Sequence, residues 1–278
     1  MALSFIAEVW SAKTLISLQK ALVFGQPGVV NRDYEGDIQM QGDTVRIKSL
    51  SSPTIASYSK NSTVIAPETL TDAQRALYID QAKYFAFEVD DIDAAQGTGG
   101  DLDVALQSAA YGLRDAADQY VAALYTGAAS ANQIGTVSVT TAALAYTQLR
   151  KLSVKLDEAN VPQEGRWCVV PPWYYGLLLE SDLFLRADAS STPGLRNGVV
   201  GAVLGMDVLK SNNAPFVTGD DYAVIAGHPM AISYAEQIVK VETYRPENAF
   251  SDAVKGLHVY GAKLVRPDAI ATVVASQT

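Results

Sequence analysis

The residues best equipped for chemistry in this chain are few: two histidines, one cysteine, a knot of acids and a cluster of glycines. His228 precedes Pro229 and His258 lies inside a strand-like pattern, and neither has the spacing of a metal motif such as HExxH. No GxSxG elbow accompanies either histidine, so a Ser-His-Asp arrangement has no support from spacing. Asp90, Asp91 and Asp93 could offer hard oxygen ligands to a divalent cation, but the loop glycine and closing glutamate of a calcium loop are missing. The plainer reading is the solvated end of a strand, and a third is pairing with Arg or Lys of a neighbour. Glycines 97 to 100 lack the following Lys-Ser or Lys-Thr of a phosphate loop and the GxGxxG spacing of a dinucleotide site. The expectation is therefore no catalytic residue, no cofactor and no metal.

The elements around these residues read as a scaffold. Phe5, Ile6, Val9, Trp10, Ile16 and Leu22 recur with approximate helical period, and Gly25, Pro27 and Gly28 end that run, so the first residues form an amphipathic arm or a helix on its own core. From Gly36 to Thr71 the chain turns to Ser, Thr, Asn and Lys, with alternation over Thr44 to Leu50 and again around Tyr58 to Ile65, predicting a long two-stranded ribbon. An isolated hairpin is marginal in water, so such a ribbon needs support from elsewhere. Ala76 to Ile92 reads as a strand, and Asp101 opens a long helix whose face carries Leu102, Leu106, Ala109, Leu113, Ala116 and Tyr120 up to Gly127.

A second helix is predicted over Ala142 to Glu158, capped by a threonine and closed by Pro162, followed by a buried strand at Arg166 to Val170 and a short helix opened by Pro171 and Pro172. Residues 187 to 205 form a glycine-rich loop. Short strands follow near Asp207 to Lys210, Tyr222 to Ala226 and Met230 to Tyr234. The last part holds Ile238 to Tyr244, a turn or short helix over Pro246 to Asp252, Leu257 to Val265 and Ile270 to Ala275. No solenoid repeat and no linker divides the chain, which gives an α+β architecture with protruding excursions.

Bulk properties set limits. The 278 residues carry a net charge of -9, which excludes a dedicated nucleic-acid reader and favours weak sticking to DNA. Charged residues make up only 18% of the chain, less than an isolated surface usually carries, and burial between subunits would account for that. The lone Cys168, in an apolar run, cannot form an intramolecular disulfide and reads as a buried thiol. No stretch is long enough to span a membrane, and the N-terminus lacks the basic start of a signal peptide.

Several segments match a known family in order: the polar ribbon, YFAFEVDDID at 84 to 93, the long helix, RWCVVPPWYYGLL, GVVGAVLGMDVLKSNN, and VETYRPENAFSDAVKGLHVYGAKLVRPDAIATVV at 241 to 274. Together they resemble the major capsid proteins of tailed bacteriophages with the Hong Kong 97-type fold. That resemblance implies an N-terminal arm (1–35), an extended β-hairpin loop (36–75), a peripheral domain with a long spine helix (76–130 and 241–278) and an axial domain (131–240). It implies a structural protein that self-assembles as pentamers and hexamers into an icosahedral shell around the phage genome, in the virion capsid, after assembly in the host cytoplasm.

The partners so implied are other copies of the chain, a separate scaffolding protein, a portal, a decoration protein and double-stranded DNA held without sequence preference, with no membrane. A trimmed precursor is the alternative to separate scaffolding, and Met1 favours the latter. Candidate subunit contacts are Phe5, Trp10, Arg46, Lys48, Tyr58, Lys60, Asp90, Asp91, Arg196, Arg245, Glu247 and Arg266. Some relatives lock the shell with a Lys-Asn isopeptide bond, for which Lys60 and Asn248 are a conceivable pair. Encapsulin-type compartments share the fold and approximate length and form the nearest alternative. A soluble hydrolase is the alternative from a different class.

Overall fold

The structure is a computed structural model, and it describes residues 23–33, 44–50, 54–57, 60, 72–90, 101–180, 202–246 and 251–278. Strands β1 (Thr44–Leu50) and β2 (Asp72–Tyr78) form an antiparallel ribbon in register from Thr44 opposite Tyr78 to Leu50 opposite Asp72. The expected continuous strand over Ala76 to Ile92 is therefore two strands, because β3 (Gln81–Asp90) starts a new direction after Ile79 and Asp80. Leu77 and Ile79, both buried, drop into a small cluster with Ala235 and Val259 and fix the corner. The alternation that predicted a strand around Tyr58 to Ile65 falls outside the described residues, apart from an exposed turn at Lys60.

Two sheets follow. In the first, β10 (Ile232–Tyr244), β11 (Ser251–Leu264) and β3 lie antiparallel in that order. The strands expected at Met230 to Tyr234 and at Ile238 to Tyr244 are one strand: Pro229–Ala231 is a single 3-10 turn, and the register shift between Ile238 and Lys240 is a bulge that the chain passes without breaking. Helix α1 (Asp101–Ala123) packs on this sheet, with Leu106 meeting Val254, Phe85 and Phe87.

The second sheet has seven strands: β4 (Gln133–Ser138), β12 (Ile270–Ser276), β9 (Asp221–Gly227), β5 (Arg166–Val170), β7 (Met206–Lys210) and β6 (Ala202–Val203) in that order, with β8 (Phe216–Thr218) paired to β9. Strand β12, grouped by the sequence with β10 and β11, instead sits between β4 and β9. Its seven residues IATVVAS are almost entirely buried, as expected for a strand covered on both faces rather than a half-exposed one. The β6–β7 turn is Leu204-Gly205, with φ of 53° and 75°, the left-handed pair that a two-residue hairpin requires.

Helix α2 (Ala142–Glu158) has the predicted boundaries, with the Thr141 hydroxyl accepting the Leu144 amide at 3.4 Å. It buries Leu149, Leu152 and Leu156 against the sheet, each contributing about 1.5–3 kcal/mol of burial. Helix α3 (Pro172–Leu179) starts on Pro172, and the Tyr174 hydroxyl donates to the Ala145 carbonyl at 2.7 Å, joining α3 to α2. One continuous core includes α2, both faces of the seven-stranded sheet, the end of α1 and residues Phe24, Val29 and Val30.

Candidate assembly site at the lobe junction

Between the two sheets lies a short segment, residues 23–33, that has no helix or strand of its own. Gly25, Pro27 and Gly28 turn it tightly, with the Val29 and Val30 amides donating to the Gln26 carbonyl at 2.9 and 3.0 Å. The turn drives Phe24, Val29 and Val30 into the core. Asn31 then lies beside the start of β10 in a single parallel bridge to Ser233: its amide donates to the Ile232 carbonyl at 2.8 Å, and the Tyr234 amide donates to the Asn31 carbonyl at 2.9 Å.

Each end of this segment is held by a buried acid. Asp118, on α1 beside buried Ala117 and Val121, is only 3% exposed. Its Oδ1 accepts the Val23 amide at 3.0 Å and the Phe24 amide at 2.7 Å, and its Oδ2 accepts the Asn213 side-chain amide at 3.1 Å. Burial pushes the Asp118 carboxyl above its ordinary value, while the Asn213, Phe24, Val23 and Gly25 donors pull it part of the way back. One carboxylate thereby joins residues 23–24, the long helix and the loop before β8.

At the other end, Arg32 pairs with Glu236 Oε1 and donates to the Gly25 carbonyl at 3.2 Å, while its guanidinium lies 5.4 Å from the Tyr234 ring centre. Glu236 Oε2 accepts the Tyr234 hydroxyl at 2.7 Å and meets His258 Nε2 at 3.2 Å. Burial alone would raise the Glu236 carboxyl, but the His258 contact, the Arg32 charge and the Tyr234 hydroxyl outweigh it and bring it down to about 2. His258 is fully buried, against the Tyr260 ring at 5.1 Å. Since Oε2 is acceptor-only when ionised, Nε2 is the donor there, a role that fixes the ring in place.

The chemistry available is that of a fastener. Cys168 is fully buried and its thiol is pushed up to about 12, which keeps it protonated and unreactive. His228 Nδ1 accepts the Met230 amide at 3.2 Å and caps the 3-10 turn. Among the described residues no group of three potential ligands converges on a metal position, and no helix is long and apolar enough to cross a membrane.

The residues singled out by sequence are scattered. Arg46 and Lys48 stand on β1 opposite Ala76 and Gln74, Lys60 occupies an exposed turn, and Asp90 ends β3 opposite Ser251. Arg245 is exposed just beyond β10, and exposed Arg266 donates to the Met230 sulfur at 3.6 Å. Phe5, Trp10, Tyr58, Asp91, Arg196, Glu247 and Asn248 lie outside the described residues. Sequence reading missed Asp118, Arg32 and Glu236. The available signal was an acid beside the apolar face of α1 and the alternation Tyr234, Glu236 on one strand with His258, Tyr260 on the next.

An α+β subunit with a separate ribbon, a spine helix on a three-stranded sheet and a seven-stranded second lobe has the architecture of Hong Kong 97-type capsid proteins. A structure from Mycobacterium phage Che8 matches with a TM-score of 0.75 and 33% identity over 89% of both chains. The capsid of cyanophage P-SCSP1u matches at 0.70, with 18% identity over 86% of this chain and 85% of that one. The mature capsid of bacteriophage PhiM1 matches at 0.68, with 17% identity over 89% and 88%. The sequence profile of a phage capsid protein family covers residues 73–273. No curated protein matches significantly. The chain belongs to the phage capsid protein family. It is a structural subunit of the virion capsid that self-assembles into the shell.

Proposed function

We propose that this chain is the major capsid protein of a tailed phage, forming pentamers and hexamers that close an icosahedral shell around double-stranded DNA. The observation that carries this reading is the β1–β2 ribbon. It pairs with no third strand among the described residues, and at its root Leu77 and Ile79 are buried against Ala235 and Val259 of the three-stranded sheet. A two-stranded ribbon is marginal by itself in water, and the surface of a neighbouring subunit supplies the missing support. The net charge of -9 suits a wall that lets packed DNA slide and leave.

In this reading the arm (1–35) and extended loop (36–75) lie on adjacent subunits, and the peripheral lobe (76–130 and 241–278) and axial lobe (131–240) follow. The pairing of β10 with β11 supports moving residues 232–240 to the peripheral lobe, and that of β12 supports moving 270–276 to the axial lobe. Arg46, Lys48, Lys60, Asp90, Arg245 and Arg266 are the described contact candidates. Assembly takes place in the host cytoplasm with a scaffolding protein and a portal, and a decoration protein clamps the outside.

Electron microscopy of particles from expressing cells, followed by nuclease treatment, tests the proposal. Closed icosahedral shells with protected DNA, in the presence of the packaging partners, are expected. A discrete small oligomer under every assembly condition would overturn it, and shells that enclose protein cargo would overturn the genome-container assignment.

A further inference from the structure

The seven-stranded sheet ends at β4, which pairs with β12 on one side and with no strand on the other among the described residues. The solvent face of α2 runs beside that open edge, and a groove of about 600 Å³ lies between them. Ile134 and Val154 give it an apolar floor, Val154 being 46% exposed. Arg150, Lys151 and Lys155 rim it, and no acid is among its lining residues. Lys155 also reaches Glu158 at 2.8 Å, so the local positive excess rests on Arg150 and Lys151.

Farther along the same sheet stands its complement. The β8–β9 hairpin exposes Phe216 and Val217, at 61% and 41%, and turns at Gly219 and Asp220 into Asp221. Phe216 is held edge-on to Tyr222 with ring centres 5.7 Å apart, so this apolar side chain is already oriented before it meets a partner. An apolar knob flanked by two acids and an apolar groove rimmed by cations thus stand apart on one sheet. Strand β12 separates the hairpin's β9 from β4 at the groove, about 10 Å at ordinary strand spacing, and with both fixed in the sheet the hairpin is placed to reach the groove of another copy.

We infer that the β8–β9 hairpin of one copy seats in the α2–β4 groove of the next, with Phe216 and Val217 on Ile134 and Val154 and with Asp220 and Asp221 toward Arg150 and Lys151. The contact joins two different surfaces of identical chains, so it repeats head to tail and generates a ring when the rotation closes. The inference rests on the capsid reading and names the surfaces that meet within one capsomer. Apolar burial supplies the attraction, while the opposed charges set the orientation and disfavour groove-to-groove pairing.

Charge exchange tests it. Arg150→Glu with Lys151→Glu, and separately Asp220→Lys with Asp221→Lys, are expressed as full chains and checked for unaltered folding by circular dichroism. Each pair of changes is expected to lower particle yield about 10-fold, and all four together to restore it to within about 3-fold of the unaltered chain. In addition, particles carrying Val154→Cys and Val217→Cys are expected to give a ladder of cross-linked chains on oxidation, against which fully buried Cys168 stays silent. Unchanged yields after single-side reversal, no restoration in the combined variant, or cysteine-bearing particles that remain single-chain would each overturn the inference. If groove reversal alone blocks assembly, the groove receives a different partner, and the inference also fails. The capsid reading stands in all these cases as long as the unaltered chain forms shells.

Discussion

Asp118 Oδ1 accepts the backbone amide of Phe24 at 2.7 Å across 94 positions of sequence, tying the segment 23–33 to the C-terminal half of helix α1. A second acid, Glu236, holds the far end of the same eleven-residue segment, 23–33, through Arg32. The segment 23–33 is therefore held at two points, on α1 and on β10.

Removing the first point should be costly in a specific way. Asp118→Ala strands two buried amides and the Asn213 side chain, and is expected to lower unfolding free energy by roughly 2–4 kcal/mol in urea titration. Asp118→Asn keeps an acceptor for the two amides and is expected to stay within about 1 kcal/mol of the unaltered protein. The Asp118 carboxyl is raised in the folded state, so its favourable contribution belongs to low pH and is lost as pH rises through the folded value. The asparagine variant should accordingly show a flatter stability profile in mild acid.

Glu236 has the opposite sign. Its carboxyl is lowered from an ordinary 4.5 to about 2, so the stability it adds is present above 4.5 and is lost as pH falls toward 2. With Glu236 mostly buried, the full contribution is on the order of 3 kcal/mol. Unfolding measured at steps from pH 5 to pH 2 should lose that amount in the unaltered chain, and Glu236→Gln should remove most of the dependence in this window.

Gly261 marks a place where backbones crowd, and Gly112 does not. A Cβ on Gly261 would lie 2.3 Å from the Tyr78 carbonyl oxygen, so Gly261→Ala forces apart the corner that roots the ribbon. The expected loss is about 2 kcal/mol or more by thermal melting, with reduced shell yield. Gly112, exposed in α1 with nothing within 4 Å, should behave in reverse, Gly112→Ala raising stability by about 0.5–1 kcal/mol.

Cys168 gives a probe of the core. With its thiol fully buried, native particles should resist a thiol-specific reagent, and labelling should follow global unfolding in denaturant. Rapid labelling of native shells would show that the core around β5 opens locally.

What could be read from sequence was local. Thr141 before an amphipathic run set the start of α2, Pro172 set the start of α3, and five apolar residues in a row set β5, each signal acting within a few positions. The corner at Ile79 and Asp80 was hidden because no glycine or proline makes it; two buried side chains and the absence of a Cβ at Gly261 do. The place of β12 was hidden because strand order is a tertiary choice: IATVVAS would suit either sheet, and its near-complete burial is visible only with β4 and β9 on either side. Asp118 and Glu236 were passed over for a related reason. A lone acid says little until its partners, 94 and 204 positions away, are brought to it.

A shell subunit whose ribbon is completed by a neighbour is visible in a cryo-electron microscopy reconstruction of assembled particles. Closed shells are expected in which β1 and β2 lie against an adjacent subunit, while the 23–33 segment keeps its bonds to Asp118 and Glu236. Particles in which the ribbon contacts only its own chain, or a chain that never forms closed shells, would contradict that expectation.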